Sequence, residues 1–146
     1  MIDIGPLRPQ DRACWEVLAR GYKAFYETDV PDEDYEATWQ RLLRGQEIHG
    51  VGACLDGTLV GIAHYLLHAT IWDTDACYLQ DLFVHETTRG KGVARALIEH
   101  VAEEARRRGT SRYYWQTKHD NTTARTLYDK VARFHGFVRY DYPLTP

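Results

Sequence analysis

The segment Arg89-Gly90-Lys91-Gly92-Val93-Ala94 constrains the fold of this chain more tightly than any other. It stands between a run of strand character, Cys77 to Val84, and an amphipathic stretch reaching about Arg108. Two closely spaced glycines let the backbone turn sharply from strand into helix. Such a turn aims successive N–H groups outward at the positive end of a helix dipole, which suits a phosphate group. Any fold of this chain must therefore join a strand end to a helix start through this turn, which either holds a phosphate or is a glycine-rich connection without a ligand.

Periodicity places the other elements around that turn. Ile2 and Ile4 suggest a short first strand ended by Gly5-Pro6. Trp15, Leu18, Ala19, Tyr22, Phe25 and Tyr26 recur at helical spacing and predict a helix from Arg8 to about Glu27. A second helix is expected from about Asp32 to Arg44, stopped by Gly45. Asp56-Gly57, between strands at about Ile48–Leu55 and Leu59–Leu67, is a hairpin signal. Val93, Leu97, Val101 and Ala105 line one face of the helix that follows the glycine turn. Arg112 to Thr117 reads as a strand, Asn121 to about Arg133 as a helix, and about Val138 to Tyr142 as a last strand. The order β-α-α-β-β-β-α-β-α-β predicts an α+β (mixed α/β) fold, in a single domain over residues 1–146.

Composition excludes several functions. The 44% hydrophobic and 27% charged fractions fit an ordinary soluble protein with a real core. No apolar run approaches the roughly 20 residues of a membrane span, and no basic-then-apolar leader opens the sequence. A cytoplasmic protein with no membrane partner is expected. A net charge of −3 argues against nucleic acid, and Arg106-Arg107-Arg108 reads as the cationic end of a helix. Cys14, Cys54 and Cys77 form no paired motif and fit thiols in a reducing compartment. No metal site is expected, because His64 and His68 fall on one strand, roughly 13 Å apart.

Residues decide which phosphate loop this is. Arg95 stands where a dinucleotide fingerprint needs a small residue, and Gly92 where a Walker A loop needs Ser or Thr. The pattern that fits is Arg89-x-x-Gly92-x-Ala94 behind Asp81-Leu82-Phe83-Val84. It resembles the coenzyme-A signature of the GNAT N-acetyltransferases, whose loop runs Gln/Arg-x-x-Gly-x-Gly/Ala. Asn121-x-x-Ala124-x-x-x-Tyr128, followed by Gly136-Phe137, is similar to a second family signature, and the element order follows the family along nearly the whole chain. Tyr114-Trp115-Gln116-Thr117 with Leu127-Tyr128-Asp129-Lys130 looks most like a branch acting on polyamines, other small primary amines, D-amino acids or histone tails.

The resemblance implies a twisted, mostly antiparallel sheet of about six to seven strands flanked by four helices. Strands 4 and 5 would splay around acetyl-CoA as cosubstrate. Backbone from Arg89 through Ala94 (Arg89, Gly90, Lys91, Gly92, Val93, Ala94), with Arg95 beside it, would hold the pyrophosphate. The side chains of Arg89 and Lys91 either add charge there or face solvent, and Lys130 either reaches the ribose phosphate or stays solvated. Leu82, Phe83 and Val84 would flank the pantetheine arm, with Phe83 and Val84 offering main-chain hydrogen bonds. An N–H aimed at the thioester oxygen would stabilise the oxyanion. Tyr128 would be the general acid, since a phenol of pKa about 10 is protonated at neutral pH and can protonate the departing thiolate. Asn121 would cap its helix and bond the arm, and Ala124 would leave room for it.

The acceptor side is less specified. A primary ammonium must lose a proton before it attacks. Asp81 is the expected base, directly or through water, because a carboxylate inside an apolar strand is costly unless paired or functional. A structural role near a bulge is its alternative. Leu79 and Phe83 are expected on its face, and His64 and His119 are weaker candidates. Tyr22, Phe25, Tyr26, Glu27, Glu33 and Trp72 offer aromatic walls and negative charge for a cationic amine, although the first three equally fit a core stripe. No cysteine occupies a nucleophile setting beside the loop, which points to direct transfer. A peptide or protein acceptor and a coenzyme-A-binding sensor stay open as other readings. The family and the run Tyr140-Asp141-Tyr142 suggest a homodimer.

Overall fold

Asp56 and Gly57 take φ of 51° and 85°, the positive values of a hairpin turn whose twist matches its strands. They join the middle of a sheet that the computed structural model describes, with the rest of the chain, over residues 1–145. Its strands are β1 (Ile2–Pro6), β2 (His49–Leu55), β3 (Thr58–His68), β4 (Ala76–Val84) and β5 (Arg112–Tyr114), in that spatial order. The first three pairings are antiparallel and the last is parallel.

Helices α1 (Arg12–Phe25) and α2 (Asp32–Arg44) cover one face, and α3 (Val93–Arg107) covers the other. α1 starts later than Arg8 because Pro9–Asp11 forms a tight 3₁₀ turn, closed by the Arg8 N–H on Asp11 Oδ2 at 2.8 Å. α2 keeps its expected bounds, and Gly45 ends it with φ 61°. Trp15, Leu18, Tyr35, Trp39, Leu42 and Ile62 form the core under α1 and α2. Val93, Leu97, Ile98, Val101 and Ala105 are buried on α3. Gly61 on β3 brings α3 close, since a Cβ there would stand 2.9 Å from Val93 Cγ1 and 3.0 Å from Leu97 Cδ1.

One irregularity decides what faces where. His64 pairs with Asp81, but Tyr65 pairs with Leu79, so Gln80 is an extra residue bulged out of β4. Cross-strand partners share a face. Asp81 therefore lies with His64, and Leu79 with Tyr65 on the opposite side. The expectation that Leu79 shares the face of Asp81 is corrected, because the bulge reverses the alternation it assumed. Phe83, beyond the bulge, does share it.

β5 pairs with β4 only through Ala76↔Arg112, Cys77↔Tyr113 and Tyr78↔Tyr114. It ends at Tyr114 rather than Thr117, while β4 continues to Val84. The ladder stops there, leaving the β4 positions beyond Tyr78 without a β5 partner.

From Thr117 onward the chain forms a second compact unit. It contains α4 (Thr122–Val131), whose Asn121, Ala124, Tyr128 and Val131 positions are half-buried. The strand expected at about Val138–Tyr142 is absent among the described residues, so the sheet has five strands rather than six to seven. Alternating apolar residues make a strand only where a ladder partner exists. Val138, Tyr140 and Tyr142 are instead 76%, 92% and 85% exposed.

Candidate active site

Gly90 and Gly92 both take φ of 82°. A Cβ at either would meet nothing within 4 Å, so backbone conformation rather than crowding selects glycine, and the approach is open. The first intrahelical bond of α3 runs from Ala96 N–H to Gly92 O at 3.0 Å. The N–H groups of Val93, Ala94 and Arg95 precede it and have no intrahelical acceptor. Among the described residues no side chain caps this end and no acidic residue occupies its first turn. Backbone donors plus helix dipole fit a phosphate anion. Of the side chains here, Val93 is buried in the core, Arg95 pairs with Glu99 at 2.9 Å, and Lys91 is exposed. The Arg89 guanidinium carbon stands 5.9 Å from the Phe83 ring centroid.

The strand before the loop has a divided main chain. His85 N–H donates to Val60 O at 2.8 Å, and β3 pairs with β4 in register from Gly61↔Val84 to His64↔Asp81. Antiparallel alternation then turns the amides of Phe83 and Asp81 toward β3, and those of Leu82 and Val84 toward the edge that β5 has left. Leu82 and Val84 can thus offer main-chain donors to an extended ligand arm. Phe83 spends its main chain on β3 and offers its ring.

On the α1–α2 face of the sheet lies a cavity of about 180 Å³. Trp15, Ala19, Tyr22 and Lys23 of α1 and Tyr35 and Thr38 of α2 form its helical walls. Ile62 and His64 of β3 and Asp81 and Phe83 of β4 form its floor. Trp15 Nε1–H donates to His64 Nε2 at 3.0 Å, and His64 Nδ1 lies 2.9 Å from Asp81 Oδ2. An indole nitrogen can only donate, so Nε2 must present its lone pair and the ring proton must sit on Nδ1, donated to Asp81. Trp15 thereby fixes both the orientation and the tautomer of a buried histidine. Asp81 keeps 25% of its side chain exposed, enough to meet a ligand. Burial, then the negative charge of Asp81, pushes the Tyr22 phenol far above its ordinary value, so it stays a donor beside the carboxylate.

The structure thus unites Asp81 and His64, which the sequence offered as separate candidates. Trp15 escaped the sequence reading because it fits the helix core stripe, and its partner lies 49 residues away. Tyr26 packs edge-on against Tyr22 with centroids 5.1 Å apart and does not line the cavity. Glu27 and Glu33 are exposed, as are Phe25 at 54% and Trp72 at 84%, and these too lie outside the cavity walls. No cysteine lines it; burial pushes the Cys77 thiol up to about 11, away from nucleophilic use.

In the second unit Asn121, Ala124 and Tyr128 share one side of α4, as their spacing predicts. Asn121 occupies the N-cap position but makes no capping bond, which corrects the expected cap. Its Nδ2 donates to Thr117 Oγ1 at 2.9 Å instead, so the amide is held toward the preceding segment. Lys130 is exposed in the last turn, and the His119 carbonyl accepts from Arg125 Nη1 at 2.7 Å.

Known proteins resemble this chain in sequence and in fold. The sequence profile of the acetyltransferase (GNAT) family matches residues 15–134. The D-amino-acid N-acetyltransferase HPA3 of Saccharomyces cerevisiae is 37% identical over 135 residues, covering 90% of this chain and 84% of that one. A ribosomal-protein-alanine N-acetyltransferase from Brucella melitensis biovar Abortus 2308 superposes with a TM-score of 0.83 at 26% identity, covering 99% of each chain. The structure of AAC(6')-Iy in complex with a CoA-based bisubstrate analogue superposes with a TM-score of 0.88 at 19% identity, also over 99% of each, a likeness of fold.

Proposed function

The chain belongs to the acetyltransferase (GNAT) family, and from that premise we propose that it moves acetyl from acetyl-CoA directly to the primary amine of a small molecule. The observation that carries this reading is the double use of β4. Its open edge presents the Leu82 and Val84 amides, and its inner face presents Asp81 to a cavity under two helices. Donor and acceptor can thus meet across one strand. The uncapped N–H groups after Gly92 would take the pyrophosphate of the donor. Asp81 would accept the proton that the ammonium loses, backed by His64 and Trp15. A main-chain N–H on the open edge would stabilise the oxygen of the attacked thioester carbonyl. Tyr128 would return a proton to the departing thiolate, with Asn121 and Ala124 beside it on α4. The cavity walls and the named substrate class of the yeast relative favour a small amine over a peptide.

A panel of D- and L-amino acids, polyamines, aminoglycosides and basic peptides tests this, read as thiol released from acetyl-CoA. Small amines are expected to be acetylated. Transfer to peptides alone, or to nothing, would refute the reading. The exposed run of Phe137, Val138, Tyr140 and Tyr142 further favours pairing with a second copy of the chain, since clustered exposed apolar residues mark an interaction surface. A solution mass of two chains is expected from sedimentation, and a one-chain mass would remove the dimer.

A further inference from the structure

We propose that the cavity selects a zwitterion, taking the amine of an amino acid at Asp81 and its carboxylate at Lys23. The proposal rests on the acetyltransferase reading above and names the acceptor that the same site would choose. Two charged side chains line the cavity, Asp81 on the sheet and Lys23 on α1. Their opposite signs are what a ligand carrying both charges needs.

The environment of Lys23 supports a binding role. Its ammonium stands 4.4 Å from the centroid of Tyr35, another wall of the cavity. Among the described residues it carries no ion pair. Arg20 makes the instructive contrast. Its guanidinium lies 4.2 Å from the same ring, yet it is held by Glu16 at 2.9 Å and Asp32 at 2.7 Å and does not line the cavity. Of the two cations on Tyr35, Lys23 is the one left with its charge unanswered by a carboxylate. Its helix neighbour Tyr22 completes the wall beside Asp81, so the α1 turn that flanks the base also supplies the counter-charge.

Charge then discriminates among amines. A diamine would place its second ammonium in a cavity that already holds a cation, a repulsive arrangement. An amino acid amide, ester or peptide N-terminus lacks the anion and leaves Lys23 unpaired. Only the free amino acid answers both charges, and a charge-assisted hydrogen bond to Lys23 would hold it.

The test compares alanine, alanine methyl ester and 1,4-diaminobutane as acceptors at saturating acetyl-CoA, in the wild type, Lys23→Met and Lys23→Arg. The wild type is expected to prefer alanine over its ester by at least about tenfold in kcat/KM, and over the diamine by more. Lys23→Met should collapse the acid-to-ester preference to within about twofold through KM, and Lys23→Arg should restore most of it. Acetyl-CoA affinity, measured by calorimetry, shows that each variant is folded. A wild type that favours ester or diamine overturns the proposal while leaving the acetyltransferase reading intact. So does an unchanged preference in Lys23→Met. Absence of transfer to every amine would overturn both.

Discussion

Asp81→Asn is expected to lower kcat/KM for acetyl transfer by about 10²- to 10⁴-fold near neutral pH, the range set by loss of a positioned base. Asparagine keeps the shape of the side chain and an oxygen to accept the His64 Nδ1–H, so the bond pattern from Trp15 can persist. What it loses is the capacity to take a proton from the incoming ammonium. The pH dependence separates this role from a structural one. As pH rises, a growing share of the acceptor arrives as free amine and needs no base. The deficit of the variant should therefore shrink about tenfold per pH unit until the amine is deprotonated in solution. A deficit that is constant across pH, or one accompanied by lost acetyl-CoA affinity, would assign Asp81 to holding the bulged strand together instead.

The surroundings of Asp81 explain how a carboxylate is accommodated on a half-buried strand. A buried charge must be paired or hydrogen-bonded. Here the pairing comes from a neutral donor, because Trp15 occupies Nε2 of His64 and commits its only ring proton to Asp81. A doubly protonated His64 would set two N–H donors against each other at 3.0 Å. The carboxylate is thus stabilised without a cation in contact, so its charge remains to attract an ammonium. Tyr22, held protonated by burial and by Asp81 itself, adds a neutral donor to the same environment.

Local signals in the sequence carried most of this architecture. Asp56-Gly57, Gly45 and the Gly90–Gly92 pair are positive-φ positions, and each stands where the reading put a turn or helix stop. Helical spacing on α3 and α4 likewise needed no tertiary information. What escaped depends on register. A bulge near Asp81 is an alternative the sequence suggests, but its place at Gln80, which sends Leu79 and Asp81 to opposite faces, has no local signature. The Trp15–His64 bond exists only because α1 lies over β3, and a tryptophan in a core stripe gives no sign of it. Lys23 reads as an ordinary helix lysine until the cavity beside it is seen. Val138–Tyr142 shows the reverse error, a strand pattern without the ladder a strand requires.

Tyr128→Phe is expected to lower kcat by about 10²-fold while leaving acetyl-CoA affinity within about twofold. The change removes one hydroxyl and keeps the ring, so packing on the half-buried side of α4 survives. The role assigned to that hydroxyl is confined to the breakdown step, when the carbon–sulfur bond opens and the thiolate needs a proton. Such a group acts in the transition state and not in binding, so the loss should fall on turnover. Leaving-group chemistry gives a sharper readout than the rate alone. A thioester donor whose thiol is more acidic departs without protonation, so the gap between wild type and variant should narrow with such a donor. A tyrosine that merely packs would show the same ratio with both donors, and unchanged turnover would remove Tyr128 as the acid.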